Sequence, residues 1–305
     1  MKDQQAVMKA KAYTFKKTND GEGYCGRFTA MASQCEVLID CKSVEVAERI
    51  IDVVFKETKR IETKFSRYLK DNIVYQINRS HGQAIKVDHE TAQLVDFAFS
   101  CYHISDGLFD ISSGVLSQVW HFDGGENIPS NDQVASLLAF IGLHKIHWEN
   151  GFLTLPQGMQ LDFGGIGKEY AVDSALKKAL QISNKVPLLL NFGGDLVCNG
   201  PRKNGQAWKI GIDSVGGGEP AVVTLAQGAL ATSGDANRYL LKEGRRYSHI
   251  LNPLTGFPVL DAPRSITVSS QSCLEAGLLS TMAMLQGNQA TDFLAQQQVQ
   301  FWIQQ

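Results

Sequence analysis

The chain has 305 residues, of which 44% are hydrophobic and 20% are charged, and its formal net charge at pH 7 is −2. This length and composition are typical of a globular protein with one large domain or two ordinary ones and a substantial hydrophobic core. The small net charge gives no indication of a nucleic-acid partner or of a basic surface that faces a membrane.

The cysteine spacing and the composition of the N-terminal residues both indicate the cytoplasm. The six cysteines form no CxxC pair and have neither the density of a disulfide framework nor the spacing of a zinc site, which predicts reduced thiols. The first 17 residues are polar and contain several lysines, without the apolar stretch of a signal peptide, and no apolar run approaches membrane-spanning length. We therefore predict a cytoplasmic protein that does not insert into a membrane.

In the first half of the chain, we predict a loose arm over residues 1–24, followed by a single domain over residues 25–305. The run Cys35–Asp40 predicts a strand, and residues 145–155 predict a short hairpin around Asn150-Gly151. Three helices are predicted from capping residues followed by apolar residues at intervals of three and four, the third ending before Gly142. The capping residues are Ser43, Asp88 and Ser130.

The second half alternates strands and helices irregularly. The continuous apolar run Pro187–Phe192 predicts a strand that is covered on both faces. Further strands are predicted at 208–213 and 221–225, around the glycine-rich loop 216–218, and at 264–269, before a helix over Cys273–Leu285. Because hairpins interrupt the alternation, the pattern favours an α+β fold over a regular doubly wound sheet.

The stretch LDFGGIGKEYA at residues 161–171 predicts a strand end, a tight glycine turn and a helix N-terminus. Glycines allow backbone N–H groups to approach a ligand closely, and the positive end of the helix dipole favours a phosphate. Lys168 would add a positive charge. The alternative is a turn that only connects two elements, since the stretch matches neither the Walker motif nor the GxGxxG fingerprint.

Five polar side chains of chemical interest fall on glycine- or serine-rich turns, where functional groups concentrate. They are Asp110, Asp162, Asp195, Asp235 and His249. For each acid the alternative is an aspartate that makes a turn by bonding nearby backbone, and for His249 it is a structural imidazole. Tyr68 lies on a polar loop and could either stack on a flat ring or serve in packing.

Seven segments, in order between Phe28 and Gly287, resemble the motifs of the ApbE-type flavin transferases, enzymes that move FMN from FAD onto a protein threonine. The order of the seven is specific, although each segment alone is weak. The segments are FTAM at 28–31, SRY at 66–68 with Asn78, FDIS at 109–112 with Trp120, LDFGGIGKEYAVD at 161–173, GGD at 193–195, SGD at 233–235 and HILNPLTG at 249–256.

The resemblance implies an α+β fold of two intertwined subdomains with mixed sheets and a flavin cleft between them. It also implies a set of cofactor-binding residues, with the flavin end lined by Met31, Tyr68 and Asp110. The full set is Met31, Tyr68, Phe109, Asp110, Asp162, Lys168, Gly194 and Ile250. By the same resemblance, His249 would be the catalytic residue at the reacting phosphate, and magnesium would be held by the Gly165 carbonyl and by Thr281.

The activity implied by the resemblance uses FAD as the substrate, Mg²⁺ as the metal and a flavoprotein with a modifiable threonine as the partner. AMP would leave, and phosphoryl transfer of this kind depends mainly on positioning and electrostatics. His249 or a nearby carboxylate would accept the proton of the threonine hydroxyl.

Two positions depart from the family's motifs. Gly277 stands where the final helix of the family has a metal-binding aspartate, and Glu169 stands where the family usually has glycine. Asp195 or Asp261 could replace the missing ligand across the cleft, and Gly277→Asp is expected to tighten magnesium binding if the site is otherwise intact. The departure at Gly277 keeps two alternatives open: a flavin-binding relative without enzymatic activity, and an FAD pyrophosphatase that passes FMN to water.

Overall fold

The fold centres on one large antiparallel sheet, seen in a computed structural model that describes residues 12–215, 217, 219–235 and 238–305. The sheet has eight strands, in the order β1-β2-β3-β7-β8-β11-β14-β15. The fifteen strands of the described residues are β1 (Thr14–Lys17), β2 (Tyr24–Ala30), β3 (Ser33–Ile39), β4 (Ala84–Lys86), β5 (His147–Glu149), β6 (Phe152–Thr154), β7 (Leu188–Phe192), β8 (Asp195–Cys198), β9 (Trp208–Ile212), β10 (Ala221–Leu225), β11 (Gly228–Gly234), β12 (Tyr239–Lys242), β13 (Arg245–Ser248), β14 (Ser265–Ser270) and β15 (Gln300–Gln304).

The helices confirm the capping predictions. Ser43 and Asp88 each accept a hydrogen bond from the backbone three residues on, and Ser130 forms the capping box with Gln133. The third of these helices ends at Leu138, short of Gly142. The α-helices of the described residues are α1 (Val44–Phe65), α2 (Ile73–Asn78), α3 (His89–Ile104), α4 (Asn131–Leu138), α5 (Gly167–Ile182), α6 (Cys273–Leu285) and α7 (Ala290–Gln296), and short 3-10 helices occur at Ile111–Gln118, Leu143–Lys145 and Gly287–Gln289.

Both faces of the large sheet are covered, as the apolar run at β7 predicts. Leu188, Leu190 and Phe192 pack with α1 and α5 in the main core, whereas Leu189 faces the β9–β10 hairpin. Helix α6 packs on β11 and β14. The predicted loop 216–218 connects that hairpin, and its residues Gly216 and Gly218 lie outside the described residues.

The predicted loose arm requires a correction. Residues 1–11 lie outside the described residues, but Thr14–Lys17 form strand β1, which pairs with β2 at one edge of the sheet. Phe15 stacks on Tyr24 with ring centroids 5.1 Å apart. The strand was missed because three of its four residues are exposed, so its sequence shows no apolar alternation and only pairing with β2 defines it.

A smaller apolar cluster is built from two distant parts of the chain. It joins residues 115–141 with Leu240, Leu251 and Phe257. Trp120 Nε1 donates a hydrogen bond of 2.9 Å to the Gly256 carbonyl, and its ring packs on Phe257. Gly256 has φ +73°, and a Cβ there would lie 2.4 Å from Val134 Cγ1, so glycine is required. The cluster thus ties the FDIS…Trp segment to the HILNPLTG segment.

Candidate functional site

The glycine turn at residues 161–167 is held from both sides. Asn78 brackets Leu161, whose N–H donates to Asn78 Oδ1 at 2.7 Å and whose carbonyl accepts from Nδ2 at 3.0 Å. The Asp162 N–H donates to the Ile111 carbonyl at 2.8 Å, and Asp162 Oδ1 accepts from the Gly164 N–H at 2.8 Å. These bonds fix the turn that leads into α5.

We predict that Asn78→Ala lowers the free energy of unfolding by about 2–4 kcal/mol, because it leaves the N–H and the carbonyl of buried Leu161 without partners. Urea denaturation would measure the change. Asn204→Ala serves as the control, since Asn204 makes its side-chain bonds in an exposed turn. If Asn78→Ala lowers the free energy of unfolding no more than Asn204→Ala does, Asn78 does not stabilise the backbone at Leu161.

Arg67 organises the surface beside Asp162. Its Nε atom lies 3.2 Å from Asp162 Oδ2, and its Nη2 atom donates to the Tyr68 hydroxyl at 2.9 Å. The guanidinium also lies over the Tyr68 ring, 4.7 Å from the centroid, and Tyr68 is 75% exposed. Arg67 thus brings two predicted cofactor residues together and presents an open aromatic ring. Sequence reasoning missed Arg67, although its position next to Tyr68 in the SRY segment was a usable signal.

Asp110 has a structural role in the loop. It is buried, its Oδ1 atom accepts from the Ser112 N–H and hydroxyl, and its Oδ2 atom accepts from the Leu143 N–H. Burial raises the pKa of this carboxyl. Both oxygens are thus engaged by the protein, as in the turn-making alternative. Phe109 packs beside the glycine turn, because a Cβ on Gly165 would lie 3.5 Å from its ring.

Met31 and Gly194 come from two turns that lie side by side. The Met31 N–H donates to Glu62 Oε1, and Met31 has φ +51°. The Gly193 N–H donates to the Gln34 carbonyl, and a Cβ on Gly193 would lie 2.7 Å from Ser33. The FTAM and GGD segments therefore meet at one end of the large sheet.

A cluster of buried charges follows the glycine turn. Lys168 Nζ lies 2.6 Å from Asp195 Oδ2, and Asp195 is 2% exposed. Glu169 is 9% exposed, and its Oε2 atom accepts no hydrogen bond within the described residues. Burial and the neighbouring Asp195 carboxylate raise the pKa of Glu169 to about 8. The structure thus places Lys168 at a buried carboxylate pair.

The predicted metal residues lie on separate elements. Thr281, on α6, contacts Ser233 Oγ at 2.9 Å, whereas Gly165 lies in the glycine turn. Of the suggested replacement ligands, Asp195 lies in the charge cluster. Asp261 lies instead near Gly287, after the far end of α6. No group of three or more His, Cys, Asp or Glu side chains suited to a metal occurs in the described part of the chain.

His249 is half-buried with a defined tautomer. Its Nδ1 atom lies 3.1 Å from the Arg238 carbonyl, which can only accept, so Nδ1 carries the proton and Nε2 is left as an acceptor. Burial, together with the charges of Arg238 and Lys168, lowers the pKa of His249 to about 4. The imidazole is therefore neutral at pH 7. The adjacent Ile250 packs on the cluster formed by β14, α6 and α7.

Asp235 is held by two arginines. Arg264 Nε lies 2.7 Å and Arg246 Nε 3.1 Å from its carboxylate, which is buried. Arg246 also lies over the Tyr239 ring, 3.4 Å from the centroid. Sequence reasoning did not predict these arginine partners, since they follow Asp235 by 11 and 29 residues.

The protein thus has an α+β fold built on an antiparallel sheet. The GGD turn at one end of this sheet lies beside the glycine turn and Lys168, and together they form a candidate nucleotide site. The ApbE family model matches residues 31–303, so the chain belongs to the ApbE family. This confirms the family resemblance and the predicted α+β fold. No helix among the described residues has the length and apolar character needed to cross a membrane.

Named relatives and solved structures agree with this membership. The FAD:protein FMN transferase of Vibrio cholerae is 26% identical over 240 residues, which cover 76% of this chain and 71% of that protein. The Haemophilus influenzae protein of the same name is 27% identical over 271 residues, covering 84% and 78%. The ApbE protein of Thermotoga maritima has a TM-score of 0.85 at 28% identity, covering 92% and 94%. The apo flavinyl transferase ApbE of Pseudomonas stutzeri has a TM-score of 0.81 at 25% identity, covering 97% and 92%.

Proposed function

We propose that this chain is an FAD:protein FMN transferase, acting as a single domain that includes strand β1. It would move FMN from FAD onto a threonine of a partner flavoprotein and release AMP. The observation that carries the proposal is the glycine turn that leads into α5, with Lys168 in the first turn of that helix and paired at 2.6 Å with the buried Asp195 carboxylate. The names of the relatives support the same activity.

In this proposal the glycine turn and the start of α5 bind the diphosphate through backbone N–H groups, aided by Lys168. Asp162 orients the nucleotide end, and the exposed Tyr68 ring, held by Arg67, stacks on the flavin. Met31, Phe109, Gly194 and Ile250 shape the cleft. Asp110 keeps the loop around Ser112 in place through its cap.

His249 Nε2 accepts the proton of the threonine hydroxyl, while the threonine oxygen forms a bond to the FMN phosphorus. The bond from that phosphorus to the bridging oxygen breaks, and AMP leaves with the bridging oxygen. The anionic diphosphate would raise the low pKa of His249 and so strengthen it as a base.

Magnesium is proposed as the metal, held by the Gly165 carbonyl and the Thr281 hydroxyl. Both are hard oxygen donors, which suit Mg²⁺. The buried Glu169 Oε2, which accepts no hydrogen bond from the described residues, packs on α6 beside Gly277 and offers a third hard oxygen donor, so the residue types present fit a hard cation. When bound, the ion would neutralise charge on the phosphate oxygens.

The experiment is FAD turnover with Mg²⁺, with and without a threonine acceptor peptide that a known transferase can modify. We expect AMP together with peptide-bound flavin. AMP without labelled peptide would instead identify the FAD pyrophosphatase, and bound but intact FAD would identify a flavin-binding relative without activity. Gly277 favours this last alternative if no other carboxylate replaces the missing aspartate. The cytoplasmic location stays a prediction, which cell fractionation would test.

A further inference from the structure

The two departures from the family's motifs face each other where α5 packs on α6. A Cβ atom added to Gly277 would lie 2.5 Å from Glu169 Cγ, 3.1 Å from Cδ and 3.2 Å from Oε1. The Glu169 side chain therefore fills the volume that a side chain at position 277 would need. Gly277 makes room for Glu169, and a carboxylate reaches this volume from α5 instead of α6.

The charges of the cluster balance only when Glu169 is protonated or bound to a cation. Lys168 and Asp195 form an ion pair at 2.6 Å, but none of the ion pairs seen in the described residues includes Glu169. A buried carboxylate is costly unless it is paired, hydrogen-bonded or bound to a metal. With all three groups ionised the cluster would carry one surplus negative charge, so Glu169 either stays protonated, as its raised pKa indicates, or offers its buried Oε2 atom to a cation.

Three hydroxyl groups of α6 and β11 lie in a chain that begins at Gly277, the residue against which Glu169 packs. Ser280 Oγ donates to the Gly277 carbonyl at 3.0 Å and lies 2.8 Å from Ser233 Oγ. Ser233 Oγ lies in turn 2.9 Å from Thr281 Oγ1. The backbone of Gly277 is thus linked through the Ser280 and Ser233 hydroxyls to Thr281. Carboxylate and hydroxyl oxygens together suit a hard divalent cation.

We propose that Glu169 is a ligand of the magnesium ion, and that it takes the place of the aspartate that Gly277 replaces. The identity of the ion rests on the proposed function. Glu169 and Gly277 then represent a single change, in which the carboxylate is supplied by α5 instead of by the facing helix α6. It follows that Gly277→Asp alone does not tighten magnesium binding, contrary to the expectation from sequence, because the new side chain collides with Glu169.

The test measures Mn²⁺ binding to the full chain by electron paramagnetic resonance, with and without FAD, and Mg²⁺ binding by calorimetry. We expect Glu169→Gln to weaken Mn²⁺ binding by about tenfold or more. The double variant Glu169→Gly/Gly277→Asp, which moves the carboxylate to α6, should recover most of this loss. Glu275→Gln, an exposed position on the same helix, should bind Mn²⁺ like the parent protein.

Thermal unfolding separates a ligand from a structural residue. In EDTA, Glu169→Gln should unfold at a higher temperature than the parent, because on folding the parent must either bury the unpaired Glu169 carboxylate or take up a proton on it. It should also lose the stabilisation that Mg²⁺ gives the parent protein. Unchanged Mn²⁺ affinity in Glu169→Gln, or a parent protein that binds no Mn²⁺, would overturn the proposal.

These outcomes are distinct from failure of the proposed function. If the parent binds Mn²⁺ through Glu169 but does not transfer FMN, the metal ligand stands and the transferase activity fails. If FMN is transferred and Mn²⁺ affinity is insensitive to Glu169, the activity stands and the ligand assignment is overturned.

Discussion

Replacing His249 with alanine is expected to slow AMP release from FAD by about 10²- to 10⁴-fold, the usual contribution of a positioned general base. FAD affinity should change little, because the bond seen at this imidazole joins Nδ1 to a backbone carbonyl and leaves Nε2 for the reacting hydroxyl. Quenched-flow measurement of AMP release and fluorescence titration of FAD would separate the two effects.

The pH profile adds a second readout. The neutral imidazole is the active form of the base, and its pKa of about 4 in the free protein keeps it neutral at pH 7. The rate should therefore fall as the pH drops through the pKa of His249 in the FAD complex, and His249→Ala should lack this fall. His147→Ala, at a histidine whose side chain is 71% exposed, is the control. A variant that binds FAD poorly but keeps its rate at saturation would make His249 a binding residue.

Replacing Lys168 with methionine is expected to lower the free energy of unfolding by about 3–5 kcal/mol, because removal of one partner strands the buried Asp195 carboxylate beside Glu169. FAD affinity should fall as well, since the phosphate-binding charge is lost. Urea denaturation and FAD titration measure the two effects. Lys56→Met, at an exposed ion pair on α1, should leave both quantities unchanged within error.

A double variant distinguishes the two roles of Lys168. Lys168→Met/Asp195→Asn removes both charges of the pair and should recover much of the stability, but not the affinity for FAD. Recovery of both would show that Lys168 serves only to neutralise Asp195 and has no direct role at the phosphate.

Local signals explain what could be predicted from the sequence. Helix α6 has the bounds that its apolar pattern predicts, and strand β7 is buried on both faces as its continuous apolar run indicates. The caps at Ser43, Asp88 and Ser130 act within three residues of their partners. Such short-range interactions are encoded in neighbouring residues and can be predicted without knowledge of the fold.

The site depended on contacts that no local pattern encodes. Lys168 and Asp195 are 27 residues apart, and Glu169 and Gly277 are 108 apart, yet packing of α5 on both α6 and β8 joins all four in one cluster. Motif order indicated that these segments belong to one site. The sequence alone did not indicate that Glu169 compensates for Gly277. This relation follows from the structure, in which the Glu169 side chain occupies the volume beside Gly277.

Strand β1 affects whether two copies of this protein can pair through the edge of the large sheet. A strand at the edge of a sheet offers unpaired backbone groups on which a second molecule can add its own strand. At one end of the sheet, the outermost strand among the described residues is the four-residue β1, which carries the exposed Lys16 and Lys17. Short length and repeated positive charge both oppose pairing between copies. Strand β1, which covers β2, therefore also disfavours edge-to-edge aggregation at this edge of the large sheet.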